Sequence, residues 1–197
     1  MSKYDKSLSQ IDAAHSEDPR QHETPTGPIP YELHYAQKMT KYLETLNPHA
    51  DELLRLAIRA QHLRRWEVPR DSYPMTKIGY HSWRAGLQRR QAEIVQGICV
   101  GNGYSVEEAE RVGEMVKKTD LKKGDADTQT LEDVACLVFL DDQFDRFERE
   151  LGDEGKMVDI LRKTWGKMSE RGREEALKIS LSDNAVRLVG IALGGDS

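Results

Sequence analysis

From Tyr31 onward, apolar residues recur at intervals of three and four, and no run alternates for long enough to make a strand. That periodicity confines the chain to an all-α fold, because such segments can bury their apolar stripes only as packed helices. Residues 1–30 are the exception. They are polar, and Pro25, Gly27, Pro28 and Pro30 break any regular element late in the stretch. A short helix over Ser7–Ala14 fits there, with Leu8 and Ile11 on one face. The expectation is a mostly irregular N-terminal segment, 1–30, followed by one compact multi-helix domain, 31–197. At 197 residues the chain can bury a sizeable core.

The first main helix is expected over about Tyr31–Leu46. The second opens at Asn47 as N-cap with Pro48 at the first helical position, and its pattern continues to about Trp66. Leu53, Leu54, Leu56, Ala57, Ile58, Ala60, Leu63 and Trp66 go most of the way round it, which marks a central helix. Pro69 and Pro74 make Glu67–Pro74 a loop. A third helix, about Lys77–Val100, carries Gly79, Gly86 and Glu93 seven apart and Gly97 one turn on, a seam where a neighbouring helix can come close. Ser105 and Glu108 form a capping box for a helix ending near Lys118. A long helix follows over about Thr128–Leu151, then helices over Lys156–Met168 and Glu170–Ile179. A last helix, capped by Ser182, stops at Gly194-Gly195.

The chemistry begins with Asp133. On a wheel of about 100° per residue it falls among Leu137, Leu140, Phe144, Phe147 and Leu151. An ionised carboxylate there needs a partner: a salt bridge to Arg59 or Arg64, or a metal. Glu132 points about 100° away. Glu32 is a second acid on an apolar face, shared with Tyr35, Ala36, Met39, Leu43 and Leu46, whereas His34 points to the opposite side. As a first-turn acid, Glu32 also suits the helix dipole. His62 lines up with Ile58 and Trp66, amid Arg59, Gln61, Arg64, Arg65 and Arg70, and Arg84, Arg89 and Arg90 extend that cluster. Arginine forks match phosphate or carboxylate oxygens, and Trp66, Tyr73, Tyr80 and Trp83 could stack on a ring. The bland readings are a packed core histidine, a solvated cationic face and aromatic core packing.

Composition narrows the classes further. A net charge of −5 gives no global attraction to nucleic acid or to an anionic membrane. The longest apolar stretch, Val134–Leu140, is too short to span a bilayer, and the polar start MSKYDKSLSQ has no signal-like hydrophobic region. Cys99 and Cys136 lie in apolar helical runs without metal spacing, as reduced core cysteines do; together these point to the cytoplasm. Gly101-Asn102-Gly103 ends a helix and is no phosphate loop. Lys167-Met168-Ser169 matches a class I tRNA-synthetase loop, but the nucleotide-binding α/β domain that such enzymes need is missing from the pattern.

Five stretches, Glu32–Thr40 (ELHYAQKMT), Arg59–Met75 (RAQHLRRWEVPRDSYPM), Tyr80–Arg84 (YHSWR), Thr130–Leu140 (TLEDVACLVFL) and Ile160–Met168 (ILRKTWGKM), resemble an uncharacterised microbial family. It is known only as a domain of unknown function, and some members carry a glutamyl-tRNA synthetase label. A more distant similarity is to the HD superfamily of helical metal-dependent phosphohydrolases. Those proteins place a first ligand on one helix, a His-Asp pair on the next and a final Asp on a later one. The corresponding residues here are Glu32 or His34, then His62, then Asp133. Leu63 follows His62, so the paired aspartate is missing unless Gln61 and His62 occupy the pair, and Lys117 and Lys118 lie where many members use another histidine.

That resemblance implies a hydrolase of a phosphorylated small molecule or nucleotide. One divalent metal (Mn, Fe, Zn or Mg), held by His62 and Asp133 with Glu32 or Glu93, would activate water, and Glu132 would supply a further acid. Arg59, Arg65, Arg70 and Arg84, with Tyr73 and Trp83, would hold the substrate. The alternative is a degenerate HD-like module that binds an anionic ligand or a protein partner without catalysis. A metal-dependent oxygenase ranks last, since it needs more inward histidines than the sequence offers.

Overall fold

In a computed structural model the described residues are 1–194, with the side chains of 145 and 146 outside the description. The all-α expectation holds: ten α-helices and one small two-stranded sheet make up the regular structure of the described residues. The chain divides within α6 into two compact units, Met1–Leu131 and Glu132–Ser197.

The first unit contains α1 (Lys3–Ser16), the strands β1 (Gln21–Thr24) and β2 (Gly27–Pro30), α2 (Tyr31–Leu46), α3 (Glu52–Arg59), α4 (Lys77–Gly101) and α5 (Val106–Lys117). The start of α6 (Ala126–Val138) completes it. Helices α4 and α5 pack along each other, α3 lies against α5 and α2, and α1 touches α2, α3 and α4. Met39, Leu43, Leu54, Leu56, Ile58, Leu63, Val95, Val112 and Met115 fill the core between them.

The N-terminal segment is more regular than its composition suggests. A capping box between Ser2 and Asp5 starts α1, and Ile11 and His15 are buried. The Pro and Gly residues that read as breakers form an antiparallel hairpin instead, with Gln21 opposite Pro30 and Gly27 at φ +114°.

The central helix is shorter than its periodicity. It starts at Asp51, whose side chain accepts the Leu54 amide at 2.8 Å, rather than at Asn47. It ends at Arg59 rather than Trp66, and the reason is tertiary. The Arg59 carbonyl, whose helical partner would be the Leu63 amide, instead accepts from His15 Nε2 at 2.8 Å. His62 and Arg64 then turn the chain with φ of +64° and +52°, the left-handed region that non-glycine residues seldom adopt.

The second unit contains the rest of α6, a π-helical turn over Phe139–Gln143, α7 (Phe144–Leu151), α8 (Glu154–Lys167), α9 (Glu170–Ala176) and α10 (Asp183–Ala192). The expected long helix is therefore interrupted, and the wider π turn shifts the wheel beyond it. Leu137, Leu140 and Phe144 stay buried with Asp133, but Phe147 is 38% exposed. Ser182 caps α10 as expected, and Gly195 lies outside the described residues. No helix among the described residues is long and apolar enough to cross a membrane.

Candidate functional site

The left-handed turn after α3 is where the cationic residues gather. Tyr35 of α2 stacks flat on the His62 ring, with centroids 4.0 Å apart and planes at 12°. On the other side Arg65 Nη1 lies 3.2 Å from His62 Nε2. A guanidinium can only donate, so Nε2 is the acceptor and the neutral ring carries its proton on Nδ1. Burial pushes the His62 pKa well below 6.5, and Arg65, Arg84, Lys118 and His15 push it the same way. His62 is a neutral imidazole held amid positive charge.

Arg65 is half-buried and also lies over the Trp83 ring, 4.7 Å from its centroid. No carboxylate among the described residues forms an ion pair with it. Burial, with a further contribution from Arg84, lowers the pKa of its guanidinium from the usual arginine value, and Tyr35 and Glu32 only partly oppose this. Arg84 is exposed and reaches the Tyr80 hydroxyl at 3.3 Å, without an ion pair among the described residues.

The Pro-bounded loop forms the wall of this cluster. Two 3₁₀ turns, Arg65–Glu67 and Arg70–Ser72, shape it. Arg70 fastens it by donating to the carbonyls of Tyr73, Pro74 and Thr76, while its guanidinium faces the Tyr80 and Trp83 rings. Trp83 Nε1 donates to the Val68 carbonyl at 2.9 Å. Glu67 pairs with Arg64 at 2.7 Å and with Arg90. Of the expected α4 seam, Gly79 and Gly86 serve this loop rather than a helix, while Gly97 faces open space. A Cβ on Gly79 would lie 2.0 Å from the Pro74 carbonyl oxygen, and one on Gly86 would lie 3.1 Å from the Tyr73 hydroxyl.

Beneath the turn lies a buried acid cluster that the sequence reading found only in part. One oxygen of Glu32 accepts the Trp66 amide at 2.8 Å and Arg20 Nη2 at 3.4 Å. The other faces His15 Nδ1 at 3.6 Å, with both side chains almost fully buried. Asp18 binds the Glu32 amide and the Arg20 guanidinium. Glu32 thus fixes the backbone beside Arg65. His15 and Asp18 carried no signal beyond the spacing of His15 from Ile11, since their partners are distant in sequence. In the sequence, Lys118 stands out only as a departure from the HD-type motif.

The remaining expected site residues have other surroundings. Arg59 is bidentate to Asp12 at 2.6 and 2.9 Å and also bonds Thr40, so it ties α1 to α2. Arg64 pairs with Glu17 and Glu67. Neither is therefore available as the expected counter-ion of Asp133. Asp133, 4% exposed, lies in the second unit, and its carboxylate accepts from the Ser169 amide at 2.8 Å and from the Ser169 hydroxyl. Ser169 in turn caps α9 by accepting from Gly172 N at 3.1 Å. The Lys167–Ser169 triplet is thus a helix entrance. Glu132 lies 3.6 Å from Lys167, and Glu93 is exposed on α4.

These surroundings do not suit the metal that the HD similarity implies. The Nε2 lone pair of His62 is engaged by Arg65, and the charges that press on the ring are cationic. A divalent ion at His62 would have to displace a guanidinium and sit in positive potential.

The chain belongs to the family described as a domain of unknown function, DUF4202, whose sequence profile matches residues 5–189. No curated protein matches the chain. No solved structure matches it either.

Proposed function

We propose that the first unit binds a small phosphorylated ligand, or another compact oxyanion, without turning it over. Arg65 is the central contact, Arg84 and Lys118 add positive potential, and His62 stays neutral and orients Arg65. The observation that carries this reading is the half-buried Arg65 guanidinium, held by a histidine and a tryptophan rather than by an acid. A cation in that position loses hydration with only partial compensation from Glu32, and an anion would offset the loss. Its planar fork leaves donors beyond the one engaged by His62.

The support is local and geometric. Glu32 fixes the Trp66 amide, Tyr35 fixes the His62 ring, and the glycines of α4 fix the loop wall, so the cationic group is pre-organised. Calorimetric titration of the full chain with pyrophosphate is the test. Saturable binding that weakens at least about tenfold in Arg65→Gln supports the reading, a change of about 1.4 kcal/mol. No saturable binding at millimolar pyrophosphate, or equal affinity in Arg65→Gln, contradicts it. Release of phosphate from phosphorylated substrates on addition of Mn²⁺ or Mg²⁺, lost in His62→Ala, would favour the hydrolase instead.

A further inference from the structure

The second unit contains a cavity of about 180 Å³, lined by α8, α9, α10, the segment joining α9 to α10, and Leu140 of the π turn. Leu161, Ile179, Leu181 and Val189 are typical of its lining, and among the described lining residues the polar side-chain groups are the Thr164 hydroxyl and the Trp165 indole N–H. We propose that this cavity binds a small uncharged apolar molecule, one aromatic ring or a short alkyl chain, independently of the anion site.

Three observations support that assignment. First, the lining would give water few hydrogen bonds, and an apolar cavity of about this size can accept a benzene-sized guest. Second, the site is open: Leu177, Val186 and Leu193 are lining residues that are 69%, 58% and 43% exposed, so they form a mouth through which a guest can enter. Third, no charged side chain is among the described lining residues. Arg187 forms two bonds with Glu154 and Lys178 pairs with Glu175, while Arg173 donates to the Trp165 carbonyl over its ring. A lining without a charged group offers no ion pair to a carboxylate or phosphate head group, which selects a neutral guest. Concavity favours a small molecule over a protein face.

The experiment follows the side-chain methyls of the full chain by NMR during titration with 1-hexanol and, separately, with hexanoate. The expected result is saturable shifts of the Leu161, Val186 and Val189 methyls with 1-hexanol, at least tenfold weaker binding of hexanoate, and loss of the response in Val189→Trp. If Val189→Trp fails to fold, Ala192→Leu fills the same cavity with less strain, and xenon-induced shifts on the unaltered chain give a second readout. Three results overturn the proposal: no saturable shift with 1-hexanol or xenon, equal binding in the filled variants, or concentration-dependent dimerisation that Leu177→Asp abolishes. The last would assign the mouth to a second copy. None of these outcomes depends on Arg65, so the cavity and the anion site fail separately.

Discussion

Asp133 is satisfied inside its own unit, and its removal should show this quantitatively. Its carboxylate accepts from the Ser169 amide and hydroxyl at 4% exposure, and the same hydroxyl accepts from Gly172 N at the start of α9. A buried hydrogen bond to a charged group contributes about 1.5–3 kcal/mol, and a helix cap about 1 kcal/mol. Asp133→Ala removes both acceptors and leaves a buried amide without this partner, so a loss of about 3–4 kcal/mol is expected. That is a large share of a domain's stability of about 5–15 kcal/mol, so the chain should fold with a much lower unfolding midpoint. Asp133→Asn keeps one acceptor and should lose only about 1 kcal/mol. The decisive assay is a double-mutant cycle, measured by urea unfolding, with Asp133→Ala, Ser169→Ala and the pair. A coupling energy of about 1.5–3 kcal/mol is expected, and one below about 0.5 kcal/mol would refute the pairing.

The remaining predictions concern the first unit. The fold holds His62 neutral with its pKa well below 6.5, so at mildly acidic pH the unfolded chain binds a proton that the folded chain does not. The contribution of His62 is present in full above about pH 6.5 and is lost as pH falls toward the folded value, by up to about 1.4 kcal/mol per unit. Urea unfolding between pH 7 and 5 should therefore show a steeper acid loss in the unaltered chain than in His62→Gln; parallel curves would contradict the assignment. Gly79→Ala places a methyl 2.0 Å from the Pro74 oxygen and must move the loop wall. It should cost about 2 kcal/mol or more and weaken pyrophosphate binding as well, whereas unchanged affinity would mean that the wall does not shape the site.

The parts of the fold written in local chemistry were legible. The Ser105–Glu108 capping box and the Ser182 cap are each set by residues within a turn of one another. The turn after Arg59 was not, because Leu63 and Trp66 continue a helical pattern. What breaks the pattern is His15, 44 residues away, binding the Arg59 carbonyl. The same limit governs the site. Periodicity identified Asp133 and Glu32 as acids on apolar faces that must have partners, and both are indeed buried and bonded. It could not name Ser169 or the Trp66 amide as those partners, because side-chain contacts across 36 and 34 residues leave no periodic trace. Arg65 and Arg84 stood among many arginines. Only the structure separates them from Arg59, Arg64 and Arg90, which have carboxylate partners.

The central claim is that Arg65 is an anion-binding arginine, and pyrophosphate titration of paired variants measures it most directly. Arg65→Gln should lose affinity by at least tenfold while keeping a cooperative unfolding transition. Arg90→Gln, which removes a guanidinium already paired with Glu67, should bind as the unaltered chain does. Equal losses in the two variants would reduce the effect to net charge, and no loss in either would contradict the account.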